Sequence, residues 1–215
     1  MVNMKNSYLG KSYSDQEIEI ALGEYPDLKF YKPENMVITT AQYIMHGYII
    51  GWFQGRSEFG PRALGNRSIL ADPRKDGMKD ILNARIKFRE HFRPFAPAVM
   101  WEYQTDYFNL DVPNPYMLLV KEVKSEKRKI IPSVTHVDGT GRIQSVTSQG
   151  NALFYQLIHA FYEITGVPVL LNTSFNIKGE PIVETPDDAL RCFAKTQIDI
   201  LSIGSYMVTK NTAVM

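Results

Sequence analysis

Gly51-Trp52-Phe53-Gln54-Gly55-Arg56-Ser57-Glu58-Phe59-Gly60-Pro61-Arg62-Ala63-Leu64-Gly65-Asn66-Arg67-Ser68-Ile69-Leu70-Ala71 divides by composition into strand, loop and strand. Tyr48 to Phe53 is a short apolar run of aromatic and β-branched residues, which predicts a buried strand. Gln54 to Gly65 holds three glycines and a proline and predicts a loop. Asn66 to Ala71 predicts a second strand. A strand that delivers a glycine-rich segment with Arg56, Arg62 and Arg67 has two readings. Glycines let backbone N–H groups approach an anion closely, and guanidinium forks match phosphate or carboxylate bidentately. The same residues also suit a surface loop stapled by structural salt bridges. The spacing Gly55-x4-Gly60 fits half of a P-loop. Pro61-Arg62 stands where Lys-Ser/Thr is required, and proline lacks a donor, so a Walker site is rejected.

Outward from this stretch the chain alternates helices and strands. Residues 1–13 are polar and expected to be loose, leaving 14–215 as the folded domain. Ser14-Asp15-Gln16-Glu17 reads as a capping box that opens a helix to about Leu22. Glu24 to Pro33 reads as a loop. Asn35 to His46 has helical spacing and is closed by Gly47. Asp76 to Phe88 reads as an amphipathic helix. Phe95 to Trp101 reads as a strand that Pro97 confines to an edge or makes irregular. Strands are expected over Tyr116–Val123, Arg142–Thr147 and Pro168–Leu171, and helices over Asn151–Thr165 and Pro186–Lys195. Asp199–Ile203 and Tyr206–Thr209 close the chain as a hairpin. The pattern is α/β or α+β with a mixed sheet.

Composition bounds the function. The chain has 215 residues with 44% hydrophobic and 22% charged residues, which suits one globular domain. One cysteine, Cys192, excludes an internal disulfide and a cysteine-cluster zinc site, and fits a reducing cytoplasm. No run approaches a membrane span, and Met1 to Lys11 lacks the apolar core of a secretory signal. A net charge of +1 argues against a general nucleic-acid binder. The charge is unevenly placed. Gln54 to Pro94 holds ten Lys/Arg against five Asp/Glu, so this stretch is about +5 and the remainder about −4.

Three further segments carry candidate chemistry. Lys87-Phe88-Arg89-Glu90-His91-Phe92-Arg93 puts three cations within seven residues at a helix exit. There they complement the helix dipole, and beside the arginines of the glycine loop they also suit a polyanion such as a triphosphate. Thr135-His136-Val137-Asp138-Gly139-Thr140-Gly141-Arg142 is a turn. His136 and Asp138 alone are too few for a metal, and Arg142 is the better anion ligand. Leu170-Leu171-Asn172-Thr173-Ser174-Phe175-Asn176 ends a buried strand in polar groups, where open α/β sheets place ligands. Those groups could equally serve only the turn backbone. Ser57 lacks the Gly-x-Ser-x-Gly elbow of a hydrolase nucleophile.

The block Gly51 to Arg74 resembles the signature of the NodU/CmcH-type carbamoyltransferases. Lys87–Pro97, Thr135–Gln144 and Leu170–Asn176 match further blocks of that family in the right order, and Tyr8-Leu9-Gly10 resembles the start of its C-terminal domain. The resemblance covers nearly the whole chain. It implies a YrdC-like fold, a twisted mixed β-sheet flanked by helices around a basic cavity. It implies that carbamoyl phosphate and Mg-ATP (ATP and Mg2+) are converted to carbamoyl adenylate. A separate N-terminal transferase domain or subunit, which this chain lacks, would then pass the carbamoyl group to an acceptor. By the same resemblance Arg62 and Arg67 face carbamoyl phosphate or the transferring phosphate. Lys87, Arg89 and Arg93 face the triphosphate, Arg142 faces carbamoyl phosphate, and Ser174 and Asn176 bind nucleotide phosphates. Arg56 and His136 support them. No protein-held metal is expected. The alternatives are a non-catalytic nucleotide- or RNA-binding module and a silent partner subunit.

Overall fold

The computed structural model describes residues 7–88, 90 and 93–210. In chain order the elements are α1 (Asp15–Gly23), β1 (Lys29–Tyr31), α2 (Met36–His46), β2 (Ile50–Phe53), β3 (Arg67–Ala71), α3 (Met78–Leu82), β4 (Ala96–Met100), α4 (Gln104–Tyr107), β5 (Val120–Glu122), β6 (Thr140–Arg142), β7 (Gln144–Val146), α5 (Ala152–Thr165), β8 (Val169–Ser174), α6 (Pro186–Lys195), β9 (Ile200–Ile203) and β10 (Tyr206–Thr209). The helices start and stop where their caps dictate. Ser14 and Glu17 form the predicted capping box of α1, and Thr185 and Asp188 form another on α6. Asn35 and Asn151 cap α2 and α5 with their side chains, and Gly47 and Gly166 end those helices.

Eight strands form one mixed sheet in the order β1-β10-β9-β2-β3-β8-β4-β7, and β5 pairs with β6 apart from it. The β2–β9 and β4–β7 pairs are parallel and the other pairs antiparallel. Helix α2 packs against α5, and α1 against α6. Ser202 of β9 meets Thr40 of α2 across 3.4 Å. The core is continuous and aromatic-rich, with Trp52, Phe53, Phe154, Phe161, Phe175 and Phe193 fully buried. Each such side chain contributes about 1.5–3 kcal/mol by leaving water.

The structure departs from the sequence reading at six places, one being the strand expected over Tyr116–Val123, which is only Val120–Glu122 because Met117 takes a left-handed backbone. Lys29–Tyr31, read as loop, forms edge strand β1 against β10, a pairing that only tertiary context supplies. The helix expected over Asp76–Phe88 is shorter. It begins after Gly77 and opens at Asn83–Lys87 into one π-helical turn, which buries Lys87. Strand β4 is interior, between β8 and β7. It tolerates Pro97 because the pairing with β7 begins only at Ala98. The expected strand over 142–147 is two strands that change partner around fully buried Ile143: β6 pairs with β5, and β7 with β4. Finally, residues 7–13 are tied down rather than loose. Gly10 N–H donates to Ser57 O, Ser57 N–H to Lys11 O, and the Tyr8 hydroxyl to Leu64 O.

Candidate active site

The glycine loop between β2 and β3 is organised by one of its own carboxylates. Glu58 Oε1 accepts from the N–H groups of Leu64 (2.7 Å), Asn66 (2.7 Å) and Arg67 (3.2 Å). These three donors are therefore used within the loop rather than held out for a ligand. Gly65 crosses the base of the loop at φ 107°, and a Cβ there would lie 2.2 Å from Phe154 Cδ1. Only glycine fits both the backbone and the space. Trp52 Nε1–H donates to Gly65 O at 2.9 Å and fixes the loop to the core.

Arg67 stands in the wall of the second cavity described below, with its Nε unpartnered, and its two terminal nitrogens hold the loop. It is fully buried at the start of β3, with its guanidinium 3.7 Å from the Phe53 ring centroid. Nη1 donates to the carbonyls of Gln54, Gly55 and Asn66, and Nη2 to those of Gly55 and Lys11. A guanidinium committed to four carbonyls is a staple for the loop. Arg56, expected in a supporting place, is held by the segment before α1. Its Nη2 donates to Leu9 O at 2.9 Å, and it lines neither cavity described below. Arg89 lies outside the described residues.

The remaining predicted cations converge. A cavity of about 370 Å³ is lined by Arg62 from the loop, Arg93 from the segment before β4, Arg142 from β6, His136 from the turn before β6, and Asn172 and Ser174 from β8. Among the described residues none of the three arginines pairs with a carboxylate. Arg142 Nε is buried without a partner, and burial together with the Arg62 charge lowers the basicity of the Arg142 guanidinium. Like charges gathered without counter-ions destabilise a free protein and favour an anion between them. Met117 closes one wall in a left-handed backbone (φ 55°), packed with Leu64 and Ala96.

A second cavity of about 420 Å³ shares Pro61 and Ser174 with the first and adds Arg67, Asn176, Ser57 and Glu184. Beneath its wall lies the buried Lys87. Its Nζ donates to Ser174 O, to Asn176 Oδ1 (2.8 Å), to Asn176 O (3.0 Å) and toward Ser174 Oγ (3.3 Å). Ser174 Oγ donates to Asn176 Oδ1 at 2.8 Å. Lys87, Ser174 and Asn176, far apart in sequence, thus form one cluster at the end of β8.

Two acceptors in the larger cavity were not legible as a pair from the sequence. His136 Nδ1 lies 2.9 Å from Thr140 Oγ1, which itself donates to Asp138 Oδ1 at 2.7 Å. The hydroxyl proton is spent on Asp138, so His136 Nδ1 carries the proton and Nε2 is a bare acceptor. Nε2 is buried and unpartnered. Burial pushes the imidazole below its ordinary value; Asp138 opposes this, while Arg142 and Lys79 add to it. Asn172 is fixed similarly. Gln144 Nε2–H donates to Leu64 O (2.8 Å), which turns Gln144 Oε1 to accept from Asn172 Nδ2 (2.7 Å). Asn172 Oδ1 is left buried and unpartnered. The sequence signal for it was the change from apolar to polar residues at Asn172, midway along β8.

Among the described residues no group of three or more His, Cys, Asp or Glu side chains could hold a metal, and no helix is long and apolar enough to cross a membrane.

Comparison with known proteins agrees with this architecture. A solved structure of full-length HypF in its phosphate- and nucleotide-bound form aligns with 86% of this chain and 22% of that protein at TM-score 0.51 and 16% identity. That likeness carries the fold, the YrdC-like mixed sheet expected from the sequence. Nodulation protein NolNO of Sinorhizobium fredii is 47% identical, over 93% of this chain and 30% of that protein. An uncharacterized protein of Synechocystis is 43% identical over 96% and 37%, respectively. The 3'-hydroxymethylcephem-O-carbamoyltransferase of Streptomyces clavuligerus is 38% identical over 74% and 30%. The chain thus spans about a third of the length of these relatives. The family described as Carbamoyltransferase C-terminus matches residues 41–210. With that match running from α2 to the end of β10, and through every residue that lines the basic cavity, the chain belongs to the carbamoyltransferase C-terminal family.

Proposed function

We propose that this domain performs the activating half of a carbamoyl transfer, making carbamoyl adenylate from carbamoyl phosphate and Mg-ATP. One observation carries the reading: Arg62, Arg93 and Arg142 face one cavity without carboxylate partners among the described residues, next to the Lys87–Ser174–Asn176 cluster. Water cleaves carbamoyl phosphate to carbamate and phosphate. A carbamate oxygen then attacks the α-phosphorus of ATP, forming the new P–O bond as pyrophosphate leaves. Both steps bring anions together, so catalysis rests on positioning and on fixed positive charge. Arg142 and Arg62 hold the carbamoyl phosphate end, and Arg93 faces the triphosphate. Lys87 holds Ser174 and Asn176 at the nucleotide end, where the second N–H of the Asn176 amide donates to a phosphate and the Ser174 hydroxyl turns from Asn176 Oδ1 to do the same. The magnesium ion enters as part of the nucleotide substrate.

The name of the cephem carbamoyltransferase relative supports carbamoyl chemistry, and the greater length of the relatives supports a further domain or subunit that completes the transfer. Phe59 (75% exposed), Leu118 (77%) and Val137 (90%) are exposed apolar side chains within two residues of cavity-lining positions, which suits such a partner. The test is pyrophosphate release from the purified chain with Mg-ATP, with and without carbamoyl phosphate. Release that requires carbamoyl phosphate is expected. Absence of both release and ATP binding would overturn the reading.

A further inference from the structure

The cavity holds more than cations. His136 Nε2 and Asn172 Oδ1 both belong to residues that line it, and both are acceptors, buried and without partners. Their orientations are not free. Thr140 and Asp138 fix the imidazole, and Gln144 and Leu64 fix the amide. Inorganic phosphate is a poorer match for such a site, because its dianion HPO4²⁻ satisfies the arginines but brings a single O–H for two acceptors. Buried acceptors left unmade disfavour a ligand. The complementary ligand carries an anion at one end and two N–H donors a bond or two away.

We propose that His136 Nε2 and Asn172 Oδ1 receive the two N–H groups of the carbamoyl amide, so that the cavity selects carbamoyl phosphate over acyl phosphates lacking an amide. This rests on the reading of the cavity as the carbamoyl phosphate site and adds the residues that determine its specificity. Acetyl phosphate is the discriminating probe. It has the same charge and nearly the same shape, with a methyl group where carbamoyl phosphate has NH2. A methyl group leaves both acceptors facing carbon, and sites built to hydrogen-bond a substrate N–H reject such analogues strongly.

The experiment is calorimetric binding of carbamoyl phosphate, acetyl phosphate and inorganic phosphate to the purified chain. The expected result is that carbamoyl phosphate binds at least ~10-fold more tightly than acetyl phosphate, from one to two unmade hydrogen bonds. His136→Phe, which keeps a ring and removes the acceptor, should shrink that ratio by roughly 10-fold. His136→Gln, which restores an acceptor, should recover part of it. Asn172→Ala should also shrink the ratio, with circular dichroism reporting whether it folds. Equal binding of the two acyl phosphates by the unaltered chain would overturn this inference and leave the anion site standing. Binding of neither would overturn the carbamoyl phosphate reading and this inference with it. A preference unchanged in His136→Phe and in folded Asn172→Ala would overturn the assignment of these residues.

Discussion

Replacing Arg142 with methionine should stabilise the ligand-free chain while removing its response to phosphate-bearing ligands. Arg142 Nε is a buried donor without a partner. Burial and the Arg62 charge both disfavour its protonated form. A buried donor left unsatisfied costs about 1–3 kcal/mol, and relief of one partly exposed like-charge contact adds only a few tenths of a kcal/mol. Methionine retains the apolar stem that packs along β6. Because Arg142 is only partly buried, a net gain of about 1–2 kcal/mol is expected, near the lower end of that range. For a domain of this size that raises the unfolding midpoint by roughly 2–8 °C. Ligand reverses the order. At a hundred times its Kd a bound anion stabilises the unaltered chain by about 2.7 kcal/mol, and the variant should gain little. Thermal unfolding with and without carbamoyl phosphate reads both effects. A variant that melts below the unaltered chain without ligand, or that shows the same ligand-induced shift, would refute the reasoning.

Three other outcomes follow from the same geometry. Arg67→Met should destabilise the chain by about 3 kcal/mol or more, since it strands buried carbonyls of Gln54, Gly55, Asn66 and Lys11; urea unfolding measures this, and a loss under 1 kcal/mol would contradict the staple role. Gly65→Ala should cost more than Gly60→Ala. Both have positive φ, but a Cβ at Gly65 meets Phe154 at 2.2 Å, whereas one at Gly60 meets nothing within 4 Å. Equal midpoints for the two would count against the packing described. Cys192 is buried, and burial pushes its thiol up to about 11. At pH 8 roughly one molecule in a thousand carries the thiolate, so a thiol reagent should label the folded chain only after unfolding; prompt labelling of the native chain would refute this.

Arg62, Arg93 and Arg142 show why such a cavity is costly to the free protein. Stability would be served by carboxylates beside these arginines, as Asp72 does for Arg74 with a 2.7 Å contact. Withholding them leaves the positive field to the ligand, which supplies the missing charge on binding. The same holds for His136 and Asn172, whose acceptors are held bare by neighbours rather than turned inward to partners.

Much of this was legible in the chain alone, because local physics decides it. Ser14 with Glu17, Asn35, Asn151, Gly47 and Gly166 set their helix ends through contacts within a few residues. The apolar runs over 48–53 and 66–71 gave the strands that hold the glycine loop, and the excess of arginine between 54 and 94 anticipated a basic cavity. What a side chain does with its charge was decided only by the tertiary structure. Arg62 and Arg67 are five residues apart in the same loop. Strand pairing sets Arg67 opposite Phe53, with four carbonyls in reach at the wall of the second cavity, whereas Arg62 lies outside the ladder and faces the first cavity without those partners. Lys87 meets Ser174 and Asn176, and Asn172 meets Gln144, only because the sheet brings distant segments together. Periodicity and composition fix which residues are available. Hydrogen-bond partners are fixed by register and by the shape of the closed chain, and those depend on contacts that span 89 residues for Lys87 and 109 for Asn172.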